Sequence, residues 1–225
     1  MRQTSADSLK TDTLKTDRSR LRRAHEKGSY DRDSLHAVLD AMPLCHIGYQ
    51  IDGKPSVLPT LQWREGDHIY WHGSSASRAI RAMEAADVCL TVTVLDGYVL
   101  ARSAFHHSVN HRSAMVFGRP QKVTDTAAKQ AHLKTMVEMI FPGRWETLRP
   151  MTDQEVKATT VLRMPITEGA AKLRSGPPVD DDEDYALAIW AGVVPMSLQL
   201  HPPEPDPANL QGLAMPDHLS RIRIG

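Results

Sequence analysis

Cysteine is nearly absent from this 225-residue chain: Cys45 and Cys89 are the two it has, and they form no C-x-x-C pair. That spacing offers neither a zinc site nor a disulfide framework, and a reduced, cytosolic compartment is the simpler expectation. Net charge is also absent, with 27 Lys plus Arg against 27 Asp plus Glu. The molecule as a whole has no pull on polyanions, so any anion site has to be local. No stretch approaches the roughly 18 apolar residues of a membrane span. Residues 1–28 carry scattered charge where a secretory signal needs an apolar core. A cytoplasmic protein without membrane association is expected.

Several catalytic signatures are missing as well. There is no G-x-G-x-x-G element and no G-x-x-x-x-G-K-[ST] loop, which disfavours dinucleotide-binding and NTPase folds. No G-x-S-x-G turn presents a serine nucleophile. His106, His107 and His111 cluster, with His72 elsewhere, but no acid–histidine pattern of helical metal-site spacing accompanies them. A protein-held catalytic metal is therefore disfavoured; these histidines are expected to hydrogen-bond in a loop or to line a pocket.

What the chain does have is strand. Cys45–Gln50 and Ser56–Arg64 flank Ile51-Asp52-Gly53-Lys54, where Asp-Gly signals a hairpin turn. Ile69–Trp71 follows the turn Glu65-Gly66. In Val88–Leu95, Val88, Leu90, Val92 and Val94 alternate with Cys89, Thr91 and Thr93. Ser108–Gly118 and Val161–Lys172 read as further strands. Hairpins at short spacing point to a closed or sandwich-like antiparallel unit. Helices are expected at Asp31–Ala41, capped by Asp31 and stopped by Pro43, at Ser75–Ala86 with Ile80 and Met83 inward, at Thr126–Ile140 with Leu133, Met136, Val137 and Ile140 buried, and near Asp153–Thr159. One or at most two domains fit the length.

Residues 1–29, with eight basic and four acidic residues, read as an arm that is either solvated or packed on a partner subunit; nucleic acid is disfavoured because no aromatics interleave with the charge. The run Asp180, Asp181, Asp182, Glu183, Asp184 after Pro177-Pro178 reads as an exposed loop. Eleven of the fifteen prolines lie at or after Pro142, so the end of the chain reads as an extended arm and not as another domain.

Two segments carry chemistry. In Ile69–Arg78 a strand ends, hydroxyl residues turn, and a helix begins with Arg78 in its first turn. Helix N–H groups, the helix dipole, serine hydroxyls and a guanidinium together suit a phosphate. An ordinary serine-capped helix with a surface arginine fits the same residues. In Ser108–Gly118 the polar run Asn110-His111-Arg112-Ser113 within a central strand is costly unless its polar groups are used. Asn110 and Arg112 share one face, His111 and Ser113 the other, so some must be structural or serve a subunit interface.

The order of these segments resembles the pyridoxamine 5′-phosphate oxidase-like family, in its flavin-nucleotide-binding, nitroimidazole-resistance-type branch. The likeness runs over residues 18–200, through Tyr30-Asp31-Arg32, Cys45-His46-Ile47-Gly48, Pro55–Thr60, Tyr70–Ser74 with Ser77-Arg78, Asn110–Ser113 leading to Phe117-Gly118, and Ile189–Pro195. His111 stands where the family more often has Tyr.

The resemblance implies a mostly β fold with flanking helices: a six-stranded antiparallel split β-barrel, homodimeric, with FMN at the subunit interface. The barrel domain would span 30–200, between the arm 1–29 and a C-terminal tail 201–225. Carried over, Leu58, Pro59 and Thr60 border the isoalloxazine; His72, Gly73, Ser74, Ser75, Ser77 and Arg78 surround the phosphate; Arg112 and Ser113 reach the flavin or phosphate; Trp190 covers the ring. The expected activity is FMN-dependent oxidoreduction of a small molecule, with His72 as candidate proton donor. The ending Ser220–Gly225 lacks the Arg-Leu-x-Pro of true pyridoxamine phosphate oxidases, so that substrate is not expected. Two alternatives stay open: haem binding on the same barrel through His106, His107 or His111, and a flavin-binding sensor without turnover.

Overall fold

Asp52 and Gly53 set the first hairpin. Both have positive φ, 50° and 72°, the backbone a two-residue turn needs to match the twist of its strands. The computed structural model, which describes residues 13–23 and 25–225, builds outward from that hairpin. Its strands are β1 (Gly28–Ser29), β2 (Leu44–Ile51), β3 (Lys54–Glu65), β4 (His68–Ser74), β5 (Val88–Leu100), β6 (Ser108–Gly118), β7 (Gln121–Lys122), β8 (Thr159–Pro165), β9 (Gly169–Arg174) and β10 (Gly192–Pro195). The helices are α1 (Arg32–Ala41), α2 (Arg78–Ala85), α3 (Thr126–Ile140) and α4 (Asp153–Ala158).

All pairings are antiparallel, in the order β1-β9-β6-β5-β2-β3-β4-β8-β7, with β10 on β5. This is an antiparallel half-barrel with a few helices. Ten strands are present among the described residues, not six. The excess comes from two- to four-residue ladders, too short to show a period, and from a division. The expected strand Val161–Lys172 is two strands: β8 pairs with β4, β9 with β6. Pro165 has no N–H to continue a ladder, and Gly169 passes so near β6 that a Cβ there would lie 2.6 Å from Met115 O.

The helices start where their caps dictate. Asp31 accepts from Ser34 N–H, Ser77 from Ile80 N–H and Asp125 from Ala128 N–H. Thr152 and Glu155 form a reciprocal capping box on α4. Because Ser77 is the cap, α2 begins at Arg78, three residues later than its sequence pattern suggests.

The main core lies between α1, α2 and the sheet: Leu35, Val38 and Leu39 meet Ile47, Trp71, Ile80, Met83, Leu90, Val116 and Met164. A second cluster, Trp63, Tyr70, Val123, Leu133 and Val161, packs under α3. Of the stripe expected on α3 only Leu133 is fully buried; Met136, Val137 and Ile140 are half-buried.

The N-terminal segment is no free arm over its described part. Leu14 is fully buried in the main core, and its backbone bonds Tyr30 O and Gly169 N–H. Arg18 grips Glu168 and Asp87 and stacks on Phe117. Residues 1–12 of the proposed arm lie outside the described residues. At the other end, residues 196–215 run over the surface without regular structure, and Gly225 N–H returns to Ala41 O. No helix among the described residues is long and apolar enough to cross a membrane.

Candidate functional site

β3 pairs with β2 along its whole first half, Lys54 to Leu61, but with β4 only from Gln62 to Glu65. Beyond Trp71, β4 keeps β8 as its partner and leaves β3. The sheet therefore splits, and the stretch containing Leu58, Pro59 and Thr60 has no strand on its second edge among the described residues. Alternate residues of such a strand turn their N–H and C=O into the split.

The opposite lip carries His72, Gly73 and Ser74, followed by the turn into α2. Gly73 lets α2 lie directly on β4: a Cβ there would meet Ile80 Cγ1 at 2.8 Å. Ser75 N–H donates to Ala158 O at 2.8 Å, Ser77 N–H to Ser74 O at 3.0 Å, and Ala76 N–H to Ser74 Oγ at 3.2 Å. These bonds fix the turn. The N–H groups of Arg78 and Ala79, in the first turn of α2, find no acceptor among the described residues, as helix geometry requires. Arg78 is exposed, its guanidinium 3.7 Å from Asp52 on the β2–β3 hairpin. Two open helix N–H groups, the Ser75 and Ser77 hydroxyls and a solvent-facing guanidinium together make an anion cradle.

His72, on β4 just before this turn, sits half-buried beside Trp63, whose ring centroid is 6.2 Å away. Burial holds its imidazole below the ordinary value, so it is neutral at pH 7. Its Nδ1 is buried and has no partner among the described residues, an unmet polar atom of the kind that a bound group satisfies.

The remaining expected residues lie elsewhere. Arg112 and Ser113 are on β6, between β5 and β9, three strands from β3. Arg112 is engaged by Asp96 through Nε at 3.0 Å and Nη2 at 2.9 Å, which raises its pKa further. Trp190 is 69 % exposed and lies over its own Gly192, where a Cβ would meet the indole at 2.9 Å. The acidic run is not simply a loop in solvent. Asp180 is buried, accepting from Arg102 N–H at 2.9 Å and from its guanidinium at 3.0 Å, while Arg102 stacks on Tyr185. Burial pushes the Asp180 carboxyl up, yet the bonds from Arg102 and Ser103 outweigh it and hold the carboxyl below its usual range. The partners Asp96 and Asp180 were missed from sequence; a carboxylate two strand positions or eighty residues away leaves no local signal.

A second region lies at the end of β5. Tyr98 pairs with Val109 of β6 and Val194 of β10, and all three are exposed on one face. The histidine cluster borders it. His106 Nε2 meets Asp181 at 3.3 Å, His107 Nδ1 meets Ser103 O at 2.8 Å, and His111 Nδ1 meets Val109 O at 3.4 Å. No group of three or more His, Cys, Asp or Glu able to hold a bare metal occurs among the described residues. A surface cavity of about 370 Å³ is lined by Trp145 and Met151, and its one cation, Arg149, is bonded to Glu155.

A split antiparallel half-barrel with a hydroxyl- and arginine-lined lip defines the class. The sequence pattern of the pyridoxamine 5′-phosphate oxidase family matches residues 31–173, and the chain belongs to that family. Among solved structures it is similar to the flavocytochrome Anf3 from Azotobacter vinelandii, with 48% identity and a TM-score of 0.91 over 93% of this chain and 98% of that one. It is also similar to the FAD and heme binding protein from Mycobacterium smegmatis, with 36% identity and a TM-score of 0.83 over 87% of this chain and 97% of that one. A Bacteroides thetaiotaomicron protein described in terms of 5-nitroimidazole antibiotic resistance shares the fold, with 20% identity and a TM-score of 0.55 over 64% of this chain and 85% of that one. A comparison with curated proteins gave no match.

Proposed function

We propose that this protein is a redox flavoprotein that also binds haem, working as a homodimer on a small-molecule electron donor or acceptor. The observation that carries the flavin half is the split: an unpaired strand edge at Leu58–Thr60 facing an anion cradle at Ser75–Arg78. A planar, polar-edged ring needs the first, and a phosphate needs the second. His72, neutral and with an unmet Nδ1, lies on the same lip as the cradle, one residue before Gly73.

The resemblance alone implied FMN. FMN and FAD share the riboflavin phosphate that this lip suits, and the Mycobacterium relative is named for FAD; we take the flavin to be FAD. Haem enters because two relatives of 36% identity or more are named a flavocytochrome and a FAD and heme binding protein. When bound, a flavin exchanges electrons in ones or twos and a haem iron one at a time. The chain's own tasks are to hold the phosphate with Arg78 and the serines, to present the Pro59 carbonyl from the unpaired edge, and to offer His72 as a neutral hydrogen-bonding group.

The test is the visible spectrum of the purified protein, with chromatography of the flavin released on denaturation. Flavin and Soret bands together, with FAD released, support the reading. FMN alone would return it to the simpler flavoprotein, and neither band, with no uptake of added FAD, FMN or hemin, would remove it.

A further inference from the structure

The end of β5 carries an exposed apolar platform. Tyr98 (51 % exposed), Val109 and Val194 lie abreast on one face, and the strand period of two adds Leu100 and Gly192 to it. Gly192 has no side chain, and the Trp190 indole occupies that space, lying on the sheet instead of standing from it. Phe105, 90 % exposed, rises at the margin. A flat aromatic and aliphatic surface of this kind suits a planar apolar macrocycle.

One imidazole beside this platform is oriented as a metal ligand. His107 directly precedes Ser108, the first residue of β6, which pairs with Val99, so it enters the strand at the end of the sheet that carries the platform. Its Nδ1 donates to Ser103 O at 2.8 Å. That bond fixes the tautomer with the proton on Nδ1 and leaves the Nε2 lone pair free, as in metal-ligating histidines whose other nitrogen donates to a carbonyl. The neighbouring histidines are placed otherwise. His106 spends Nε2 on Asp181 and meets the Phe105 ring edge-on at 5.3 Å. His111 shares the Val109 face and its Nδ1 also meets a carbonyl, at a longer 3.4 Å, but it sits opposite Leu95, beyond the β10 pairs that end at Gly97.

We propose that His107 is an axial ligand of the haem iron, through Nε2, with the macrocycle lying against Tyr98, Val109, Val194 and Trp190. This rests on the haem half of the reading above. It also gives Trp190 a different task from covering the flavin.

The experiment uses the full-length protein expressed with 5-aminolevulinate, and apoprotein titrated with hemin. Soret position, electron paramagnetic resonance and hemin affinity are compared for the native chain, His107→Ala, His106→Ala and His107→Cys, with flavin content and circular dichroism read on each. His107→Ala is expected to weaken hemin binding by about 100-fold or more, since even an outer-shell partner of a ligand costs about 10–100-fold. Added imidazole restores the native Soret band to that variant, and His106→Ala keeps it throughout. His107→Cys shifts the spectrum to that of a thiolate ligand, which reports ligation even if the alanine variant folds poorly. A native protein that binds haem, with His107 variants spectrally unchanged, overturns the assignment and leaves the flavin–haem reading standing. A native protein that takes up no hemin overturns both.

Discussion

Arg78 and Arg112 each stand beside a serine in the sequence, and the fold gives them different surroundings. Arg78 faces solvent with Asp52 3.7 Å away, whereas Arg112 has Asp96 in a two-point grip. Arg78→Ala is expected to weaken flavin affinity by about 1.5–3 kcal/mol, roughly 10- to 150-fold, with the thermal midpoint of the apoprotein unchanged; fluorescence titration with FAD measures it. Arg112→Ala should instead cost at most about 1 kcal/mol of stability, because both partners are about one-third exposed and the pair is solvent-screened. Denaturant unfolding of the apoprotein tests this. Local chemistry was legible in the strand–serine–arginine order of residues 69–78, where every partner is a near neighbour in sequence. It was illegible at Asp96, Asp180 and Glu168, each of which acts across a ladder or a long loop.

At the scale of elements, periodicity located the long pieces and misjudged the joints. β5 and β6 show their alternation plainly because one face of each is core. The division of Val161–Lys172 was hidden, since both halves are apolar and only Pro165 and Gly169 mark the crossing between the two lips of the split. The N-terminal segment misled for the opposite reason. One leucine among charges has no period, yet Leu14 fills a hole between α1 and β9. Leu14→Ala is expected to destabilise the protein by about 2–5 kcal/mol, the range for truncating a fully buried leucine; a solvated arm would show no change in urea unfolding. The same segment makes stability pH-dependent. Hydrogen bonds from Arg18, helped by Thr16, hold the Glu168 carboxyl below its ordinary value of 4.5 against the desolvation that raises it. A depressed folded-state pKa stabilises the fold above the unfolded value and ceases to do so as pH falls through the folded one. The gap in thermal midpoint between the native chain and Glu168→Gln should therefore be constant above about pH 5 and close as the pH drops below 4.5. A gap that widens in acid would reverse the assignment.

For the molecule as a whole, the surface is more apolar than one copy alone explains. Residues 196–215 cover almost nothing of their own chain, yet Leu198, Leu200, Leu210, Leu213 and Met215 are all at least half exposed. Ordering such a segment costs conformational entropy that its intrachain contacts do not offset, and soluble monomers rarely leave so much contiguous apolar surface in water. A second copy of the chain resolves this if each tail lies on the other subunit. Light scattering at micromolar concentration should give twice the 25.0 kDa chain mass. Leu210→Asp with Leu213→Asp, at positions 81 % and 66 % exposed, changes nothing in the core of a single chain, so in a monomer it would be silent. In the dimer it puts two carboxylates into the contact and should shift the mass toward one chain. Flavin affinity should fall along with it, because a site shared between subunits loses a wall when they part. An unchanged mass and affinity in that double variant would place the tail on its own subunit.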